Sequence, residues 1–498
     1  MSEDDPWSAD EDQPTEHEDS GEPTGALGRL RARVDGLFRS EDELNLTSGG
    51  IAWPLFFLSL PIIVTNVLQT AYNIADTFWL GQYSTNALAA ISFAFPLVFL
   101  LIALGLGLSV AGSVLVAQYT GAGDEEGAAY AASQTIGYTL SFSAILGVIG
   151  YFVVGDILAV FGAEPRTLEL ATGYMEVISL GLPLMFGFFV FVALMRGAGD
   201  TVTPMFVMFV TVALNVVIDP VLIFGWGPAP QLGMTGAAIA TIGSRGLATA
   251  IGLGILLWSD RGVSITLRDV VPNPAYGRKL VEIGVPASIE GTGRALSINA
   301  MLLIIGAFST NIVAAYGIGT RVFSVIFLPA IAVARGVETM TGQNIGADKT
   351  DRARRTNVFA AKVMFFVLTG LGMVIFLLAE PVAAVFTDNA TVISESARFV
   401  RYVALTFGGI GIMRTLTGGF RGVGQTMVAA AISILTLAAI RLPVAWVAAG
   451  PYGPPGVWAS FAVSNVAGAI IAYAWFRLGS WEDEDVRAEE IEGVPADD

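Results

Sequence analysis

The sequence contains no cysteine, and its single histidine, His17, lies in an acidic stretch near the amino terminus. Disulfide frameworks, thiolate nucleophiles and Cys/His metal centres are therefore excluded from the rest of the chain, as is histidine acting as a general base. Lysine is also scarce and occurs only at Lys279, Lys349 and Lys362. No nucleophile, base and orienting group stand in an arrangement typical of a hydrolase. We therefore expect a protein that is not an enzyme and has no cofactor.

Acidic residues dominate the charge, but only at the two ends of the chain. The formal net charge is −17. Residues 1–26 contain ten acids and no Lys or Arg, and residues 482–498 contain nine acids and one arginine; the other 24 acids and 25 bases nearly balance. Such runs of like charge stay solvated and disordered, and they repel nucleic acid. The sequence predicts disordered acidic ends and no nucleic-acid partner.

Apolar residues are what the sequence has in excess. Hydrophobic residues make up 54% and charged residues 14% of the 498 positions, and the mean hydropathy is +0.66. A soluble domain cannot bury that much apolar surface, so the lipid bilayer is the expected solvent. A helix needs about 20 apolar residues to cross about 30 Å of hydrocarbon. Twelve runs meet this length: 51–80, 87–117, 130–155, 168–195, 203–225, 234–258, 279–307, 311–342, 358–380, 393–420, 426–449 and 455–477.

The chain repeats itself at a fixed offset, because positions 61 and 286 and several later pairs all differ by 225. The matching pairs include Pro61 and Pro286, Ser84 and Ser309, Gln118 and Gln343, Gly121 and Gly346, and Arg196 and Arg421. Each copy holds six spans, and since six is even, both copies enter the membrane in the same sense. The predicted fold is an all-α polytopic membrane protein with two six-helix bundles related by a pseudo-two-fold axis.

The predicted organisation has five parts. They are an acidic cytoplasmic leader (1–48), an N-lobe (49–258), a cytoplasmic linker (259–276), a C-lobe (277–478) and an acidic cytoplasmic tail (479–498). Lys and Arg are concentrated in the leader, in the linker and after the eighth span, so both termini are expected on the cytoplasmic side of the plasma membrane. No cleavable signal peptide precedes the first span, which should remain as an anchor. A monomer is expected.

Two acidic residues, Asp76 and Asp219, lie inside apolar spans of the N-lobe. An ionised carboxylate there costs about 2.5–3.5 kcal/mol, so it should face a wet cavity, bind a cation or hold a proton. Asp76 lies five residues before Gly81 and Asp219 six before Gly225. At 1.5 Å per residue both are about 8–9 Å from the outer ends of their spans. Equal depth predicts a shared site, although each acid alone is also compatible with a hydrogen bond between helices.

Polar residues surround both acids. Asn215 is one turn before Asp219. Three residues precede Asp76 on one helical face: Gln69, Tyr72 and Asn73. Oxygen ligands of this kind suit Na⁺ or a transferable proton, whereas a divalent ion usually requires more carboxylates. We therefore predict that Na⁺ or H⁺ binds here.

The C-lobe differs from the N-lobe. Met301 stands at the repeat position that matches Asp76, and the C-lobe has no equivalent pair of acids. Two charged pairs stand at helical spacing instead, Glu290 with Arg294 and Arg335 with Glu338. Charges three or four residues apart can neutralise each other, so these pairs are predicted to be structural or to act in gating. Cation coupling is accordingly predicted for the N-lobe alone.

Proline and methionine supply further candidates. Pro61 is ten residues into the first span and Pro220 directly follows Asp219. Each removes a backbone donor and can act as a hinge or as a static kink. Met205 and Met208 are candidates for an apolar pocket that accepts flat cations through soft thioethers and aromatic faces.

Four segments together resemble the multidrug and toxic compound extrusion (MATE) family. They are residues 73–81 (NIADTFWLG), 194–204 (LMRGAGDTVTP), 215–220 (NVVIDP) and 420–426 (FRGVGQT). The resemblance covers about residues 50–478. It implies two six-helix lobes around a central cleft and export of cationic amphiphilic compounds driven by inward Na⁺ or H⁺. The alternative within the same superfamily is a flippase for lipid-linked oligosaccharides, which would need a cationic cavity for pyrophosphate.

The resemblance also implies roles for individual residues. The cation site maps onto Asp76, Asn215, Asp219 and, more loosely, Thr241. A bending first helix maps onto Pro61, and cavity-lining positions map onto Gln69, Tyr72 and Met208. One departure matters, because some family members have a key Glu eight residues after the proline of span seven, where this chain has Arg294. A mechanism that depends on a C-lobe acid is therefore not expected.

Overall fold

A computed structural model of the chain describes residues 45–160, 164–259, 261–481 and 486. The predicted acidic leader up to residue 44, including His17 and the leader arginines, lies outside the described residues, as does most of the acidic tail. Within the described residues the chain is helical and contains no strand. The predicted all-α fold is confirmed.

Seven α-helices form the first half and nine the second, among the described residues. The first half consists of α1 (Ala52–Tyr83), α2 (Thr85–Ala122), α3 (Glu125–Val160), α4 (Pro165–Leu180), α5 (Leu182–Ala198), α6 (Val202–Phe224) and α7 (Gly233–Trp258). The second half consists of α8 (Pro274–Gly306), α9 (Thr310–Gly346), α10 (Thr350–Leu377), α11 (Ala379–Ala384), α12 (Ala390–Ala404), α13 (Phe407–Gly422), α14 (Thr426–Ile434), α15 (Leu442–Tyr452) and α16 (Pro454–Leu478).

Each predicted span corresponds to one helix or one interrupted helix. Nine helices of the described chain are long and apolar enough to cross a membrane, with α14 and α15 counted as one; α4 and α5 form a tenth span bent by 55°. Helix α8 and the pair α12–α13 account for the other two predicted spans. The protein is therefore a multi-pass membrane protein.

Four of the predicted spans are not single continuous α-helices. Span 168–195 breaks at Gly181, span 393–420 breaks between α12 and α13, and span 358–380 ends as the short α11. Span 426–449 contains a π-helical segment, Leu435–Arg441. Hydropathy cannot reveal such breaks because the residues on both sides are equally apolar, and a broken helix inside a bundle can satisfy its backbone groups through its neighbours.

Tight connections between helices follow from local sequence. A single residue, Ser84, separates α1 from α2, and its hydroxyl accepts a hydrogen bond from the Ala87 amide at 3.1 Å. Gly123 ends α2 in a left-handed conformation with φ 75°. A side-chain N-cap and a left-handed glycine after a helix are the usual ways to satisfy the backbone groups left free at helix ends.

The linker between the halves is held against the N-lobe. The amide of Gln134 on α3 donates to the carbonyls of Asp269 (2.6 Å) and Val271 (2.9 Å), and its oxygen accepts from the Asn273 amide at 2.8 Å. Helix α8 begins at Pro274. The last three residues of the predicted linker, 274–276, therefore belong to α8.

The two halves meet through α2 and α9, which begin 225 residues apart, at Thr85 and Thr310. Their far ends carry a symmetric pair of hydrogen bonds. Gln118 donates to the carbonyl of Gly422 at 3.2 Å, and Gln343 donates to the carbonyl of Gly197 at 3.0 Å. The two donors differ by 225 positions and so do the two acceptors. Equivalent residues of the two repeats therefore make equivalent hydrogen bonds to the opposite lobe. We call this contact the terminal seal, since it lies at the end of the bundle where α1 begins and α16 ends.

Two glycines make the terminal seal possible. A Cβ atom added at Gly121 would overlap with the backbone of Gln343, and one added at Gly346 would overlap with the backbone of Gln118. The obstructing atoms are backbone atoms, which cannot move aside as the end of a flexible side chain can. The close approach of α2 and α9 therefore requires glycine at both positions.

Gly346→Ala is expected to open the terminal seal. The helices must separate by about 1–2 Å there to restore carbon contacts of about 3.5–4.0 Å. Because the native chain has no cysteine, spin labels on Glu126→Cys and Asp351→Cys, both exposed positions, can report the separation without background. Longer label distances in the Gly346→Ala protein are expected. Gly370→Ala is the control, since nothing lies within 4 Å of a Cβ there; equal distances in both variants would contradict the prediction.

Candidate cation and substrate sites

The two predicted acids come together in the N-lobe. Asp76 on α1 is 4% exposed and Asp219 on α6 is 0% exposed. Thr241 on α7 donates to Asp76 Oδ2 at 3.4 Å, and Asn215 donates to Asp219 Oδ1 at 3.1 Å. The two carboxyl groups lie within hydrogen-bonding reach of each other. Three helices thus converge on one buried acid pair, and all four residues predicted for the cation site are part of it.

The acid pair has oxygen atoms with no donor. Asp76 Oδ1, Asp219 Oδ2 and Asn215 Oδ1 are buried and lack a hydrogen-bond partner within the described chain. Buried acceptors are normally paired, so unpaired ones require an explanation such as an ion. In the part of the chain that the structure describes, no group of three or more Asp, Glu, His or Cys side chains is placed to hold a metal ion. Two carboxylates with neutral oxygen ligands suit a monovalent cation or a proton better than a divalent metal.

A cavity of about 240 Å³ adjoins Asp76. Its polar lining residues are Gln69, Tyr72, Asn73, Asp76, Tyr174, Thr241 and Arg245, and its aromatic residues include Phe95, Phe99 and Phe189. The α1 residues face it together because they are three, four or seven positions from Asp76, which places them on one helical face. We call it the N-lobe cavity. Its walls suit a flat, apolar molecule with a few polar groups.

The predicted methionines differ in position. Met208 is 1% exposed, and its sulfur lies 3.3 Å from a guanidinium nitrogen of Arg245. Met205 is half-buried on α6, and neither methionine is among the residues lining the N-lobe cavity. Pro61 lies inside α1, which continues through it as one helix, and the Pro61 carbonyl accepts from the Thr65 hydroxyl at 2.9 Å. Its role as a hinge remains a prediction.

Arg245 was not found from the sequence. It is 3% exposed, donates to Gln69 Oε1 at 2.7 Å, and places its guanidinium 4.6 Å from the centre of the Tyr72 ring. The only sequence signal was its position one turn after Thr241, within an apolar span. Arg245 puts a positive charge beside the acid pair, so the N-lobe cavity contains both signs of charge.

The charged pairs of the C-lobe form at the predicted spacing but are not isolated. Arg294 lies 2.8 Å from Glu290, and Arg335 lies 2.8 Å from Glu338. Arg421 on α13 joins them, at 3.0 Å from Glu290 and 3.1 Å from Glu338. Helical spacing could not reveal this link, because Arg421 is 131 and 83 residues away from the two acids. The result is one buried network rather than two local pairs.

Two parallel six-helix bundles with a buried acid pair beside a cavity define a polytopic membrane transporter of the repeat type. The family model MatE matches residues 61–221 and 286–447, more than half of the chain, and its two matched segments begin at the repeated prolines. This protein belongs to the MATE family of multidrug efflux transporters. The resemblance seen in the sequence is confirmed.

Several known proteins are similar to this chain along most of their length. The probable multidrug resistance protein NorM of Thermotoga maritima is 30% identical over 88% of this chain and 94% of its own. The FAD transporter of Shewanella oneidensis is 27% identical over 87% of this chain and 96% of its own. A solved multidrug resistance MATE transporter in its outward-facing conformation superposes with a TM-score of 0.80, at 25% identity, over 89% of this chain and 98% of its own.

Proposed function

We propose that this protein is an antiporter in which Na⁺ or H⁺ binding at Asp76 and Asp219 drives export of small organic compounds. The observation that carries the proposal is the buried acid pair, with one unpartnered carboxylate oxygen on each residue. Arg245 can balance only one of the two negative charges, and the other is costly in an apolar bundle unless a cation or a proton accompanies it. Cation coupling requires an ion-binding site next to a substrate cavity, and the acid pair next to the N-lobe cavity meets this requirement.

Helix α1 connects the acid pair to the N-lobe cavity, because it carries residues of both. Asp76 sits on the same face of α1 as Tyr72 and Asn73, which line the cavity. Binding of a cation or a proton to the acid pair would remove the repulsion between the carboxylates of α1 and α6. Its release would restore that repulsion. Ion occupancy and cavity shape are thereby linked, which gives the differential affinity that alternating access needs.

Both candidate ions fit the residues that are present. A proton on one carboxyl group can be shared with the other, since they are within hydrogen-bonding reach. For Na⁺, the unpartnered oxygens of Asp76, Asp219 and Asn215 and the hydroxyl of Thr241 supply four oxygen ligands from three helices. Water would complete the coordination shell.

Cationic amphiphilic compounds are the proposed substrates, as the family resemblance implies. The aromatic lining of the N-lobe cavity supports a flat substrate. Among the relatives described above, one is named a probable multidrug resistance protein and one an FAD transporter, and both names fit export of small organic compounds. The flippase alternative gains no support from these relatives.

We also propose the predicted orientation, with both termini in the cytoplasm and a single chain as the transporting unit. The terminal seal would then close the cytoplasmic side of the bundle, and the N-lobe cavity would be loaded or emptied from the opposite side. This arrangement corresponds to one of the two states of alternating access.

The proposal is tested by efflux from proteoliposomes with Na⁺ and pH gradients imposed independently. A fluorescent cationic dye should be exported against its gradient when one of the two ion gradients is present, and only equilibrate when neither is. The effective gradient identifies the coupling ion. Export that is the same under all four combinations of gradients would contradict cation coupling.

A further inference from the structure

A second cavity, of about 140 Å³, lies between α2 of the N-lobe and helices α8, α9 and α13 of the C-lobe. We call it the arginine pocket, and its charged lining residues are Glu290, Arg294, Arg335, Arg414 and Arg421. Its apolar lining includes Leu106 and Val110 of α2. The pocket is separate from the acid pair, and cation coupling as proposed above does not use it.

The arginine pocket has more positive than negative charge. Within the described residues, its four arginines have only Glu290 and Glu338 as ion-pair partners. Four guanidinium groups against two carboxylates leave two positive charges. Arg196 of α5 adds a third, since it lies within electrostatic reach of Glu338 and Arg421 and, among the described residues, its side chain donates only to the Ser113 hydroxyl. Arginine does not lose its proton in proteins, so this excess cannot be removed by titration.

Several of the guanidinium donors have no acceptor. The Nε atoms of Arg294, Arg414 and Arg196 are buried and lack a hydrogen-bond partner within the described chain. Arg414 is 5% exposed overall, and its nearest carboxylate oxygen, on Glu290, is 3.8 Å away. Excess positive charge in an apolar interior is strongly unfavourable, so these donors call for a negative partner beyond the carboxylates of the described residues.

We propose that the arginine pocket binds an oxyanion, a phosphate or carboxylate group, carried by the molecule that the protein exports. Planar guanidinium groups match such oxyanions in geometry and bind them with charge-assisted hydrogen bonds. The cavity holds about four to five water-sized groups at roughly 30 Å³ each, which is enough for a phosphate and its first organic atoms. The side chain of Arg294 is 32% exposed, so the pocket is reachable.

This inference rests on the proposed export function and deepens it by narrowing the substrate class. Cationic amphiphiles without an anionic group would leave the excess charge of the pocket uncompensated. Amphiphiles that also carry an oxyanion would compensate it. Among the amphiphilic compounds proposed above, the pocket is therefore expected to favour those that combine an apolar or aromatic body with a phosphate or carboxylate.

Binding is tested on the purified full chain with two probes that differ only in the phosphate, adenosine 5′-monophosphate and adenosine. The monophosphate is expected to raise the thermal midpoint and adenosine to leave it unchanged. Arg414→Gln should weaken monophosphate binding about tenfold, because one charge-assisted interaction is lost. Arg414→Lys should restore part of it. Arg294→Gln, at a more exposed position, serves as a second variant in case Arg414→Gln does not fold.

Arg441→Gln is the matched control for the loss of a buried arginine. Arg441 belongs to the same lobe, bonds to Ser464 (2.8 Å) and Asn465 (3.0 Å), and does not line the pocket. Its variant should bind the monophosphate as the native chain does. Equal stabilisation by the monophosphate and adenosine, or equal weakening by Arg441→Gln and Arg414→Gln, would overturn the proposal.

Transport in vesicles separates the sources of the anion. Native protein in phosphatidylcholine vesicles should export the monophosphate, and added phosphatidylglycerol should not prevent this. Binding without export would show that the pocket holds a free anion, and loss of binding in phosphatidylglycerol would show that it holds a lipid headgroup; either result refutes the proposal. A cationic dye in the same vesicles tells the two failures apart. If the dye alone is exported, only this inference fails, whereas export of neither compound overturns the export function itself.

Discussion

Asp76→Asn and Asp219→Asn are each expected to abolish cation-driven accumulation of substrate while the protein still folds and inserts. Each substitution keeps the size and polarity of the side chain but removes the charge that attracts the ion. A tenfold ion gradient supplies about 1.4 kcal/mol per coupled ion, which can concentrate substrate about tenfold. In the variants the ratio of substrate across the membrane should fall to one.

The measurement is dye export from proteoliposomes with an imposed Na⁺ or pH gradient, together with size-exclusion chromatography to verify folding. Asp388→Asn is a matched control, because Asp388 is an exposed residue between α11 and α12. It should transport as the native chain does. Gradient-driven accumulation at the native level by either acid-pair variant would refute the assignment of coupling to this site.

Glu338→Gln is expected to destabilise the C-lobe by about 3–5 kcal/mol, the usual effect of removing one partner from a buried ion pair. The Glu338 side chain is 1% exposed, and it binds Arg335 at 2.8 Å and Arg421 at 3.1 Å. Glutamine has nearly the same shape, so packing is retained. The loss comes from the charge, since the arginine excess of the network rises by one.

The thermal midpoint followed by tryptophan fluorescence measures this loss. Glu380→Gln provides the control, because Glu380 pairs with Arg401 at 3.1 Å on the surface, with side chains 59% and 40% exposed. Exposed pairs contribute about 0–1 kcal/mol, so its midpoint should hardly change. Similar midpoints for both variants would mean that the buried network contributes no more than a surface pair.

Sequence patterns predicted the fold and the acid pair because both depend on spacing along single helices. Asp76 and Asp219 were found as charges at equal depth in apolar spans, and the offset of 225 residues predicted two equivalent bundles. Thr241 came only from the family resemblance, since a threonine in a helix carries no signal of its own. Arg245 was missed, although it lies one turn from Thr241. Its hydrogen bond to Gln69 joins α7 to α1, and such a contact between helices leaves no pattern in the sequence.

The charge of the arginine pocket could not be predicted from local sequence patterns. Glu290 with Arg294 and Arg335 with Glu338 looked like neutral local pairs, which indicated structural or gating roles. In the structure, Arg421 and Arg414 from the distant helix α13 also contact Glu290. The cluster therefore has excess positive charge instead of being neutral. A charge balance over a cluster cannot be read from neighbours in sequence.

Composition and periodicity were therefore sufficient for the membrane location, the helical class, the duplication and the depth of the two acids, because these follow from solvation and from the geometry of one helix. The helix breaks, the terminal seal formed by Gly121 and Gly346, the N-lobe cavity with Arg245 and the arginine pocket emerged from the folded chain. Each depends on the distance and angle between helices that are far apart in sequence. Packing of the whole bundle sets those distances, and no segment encodes them alone.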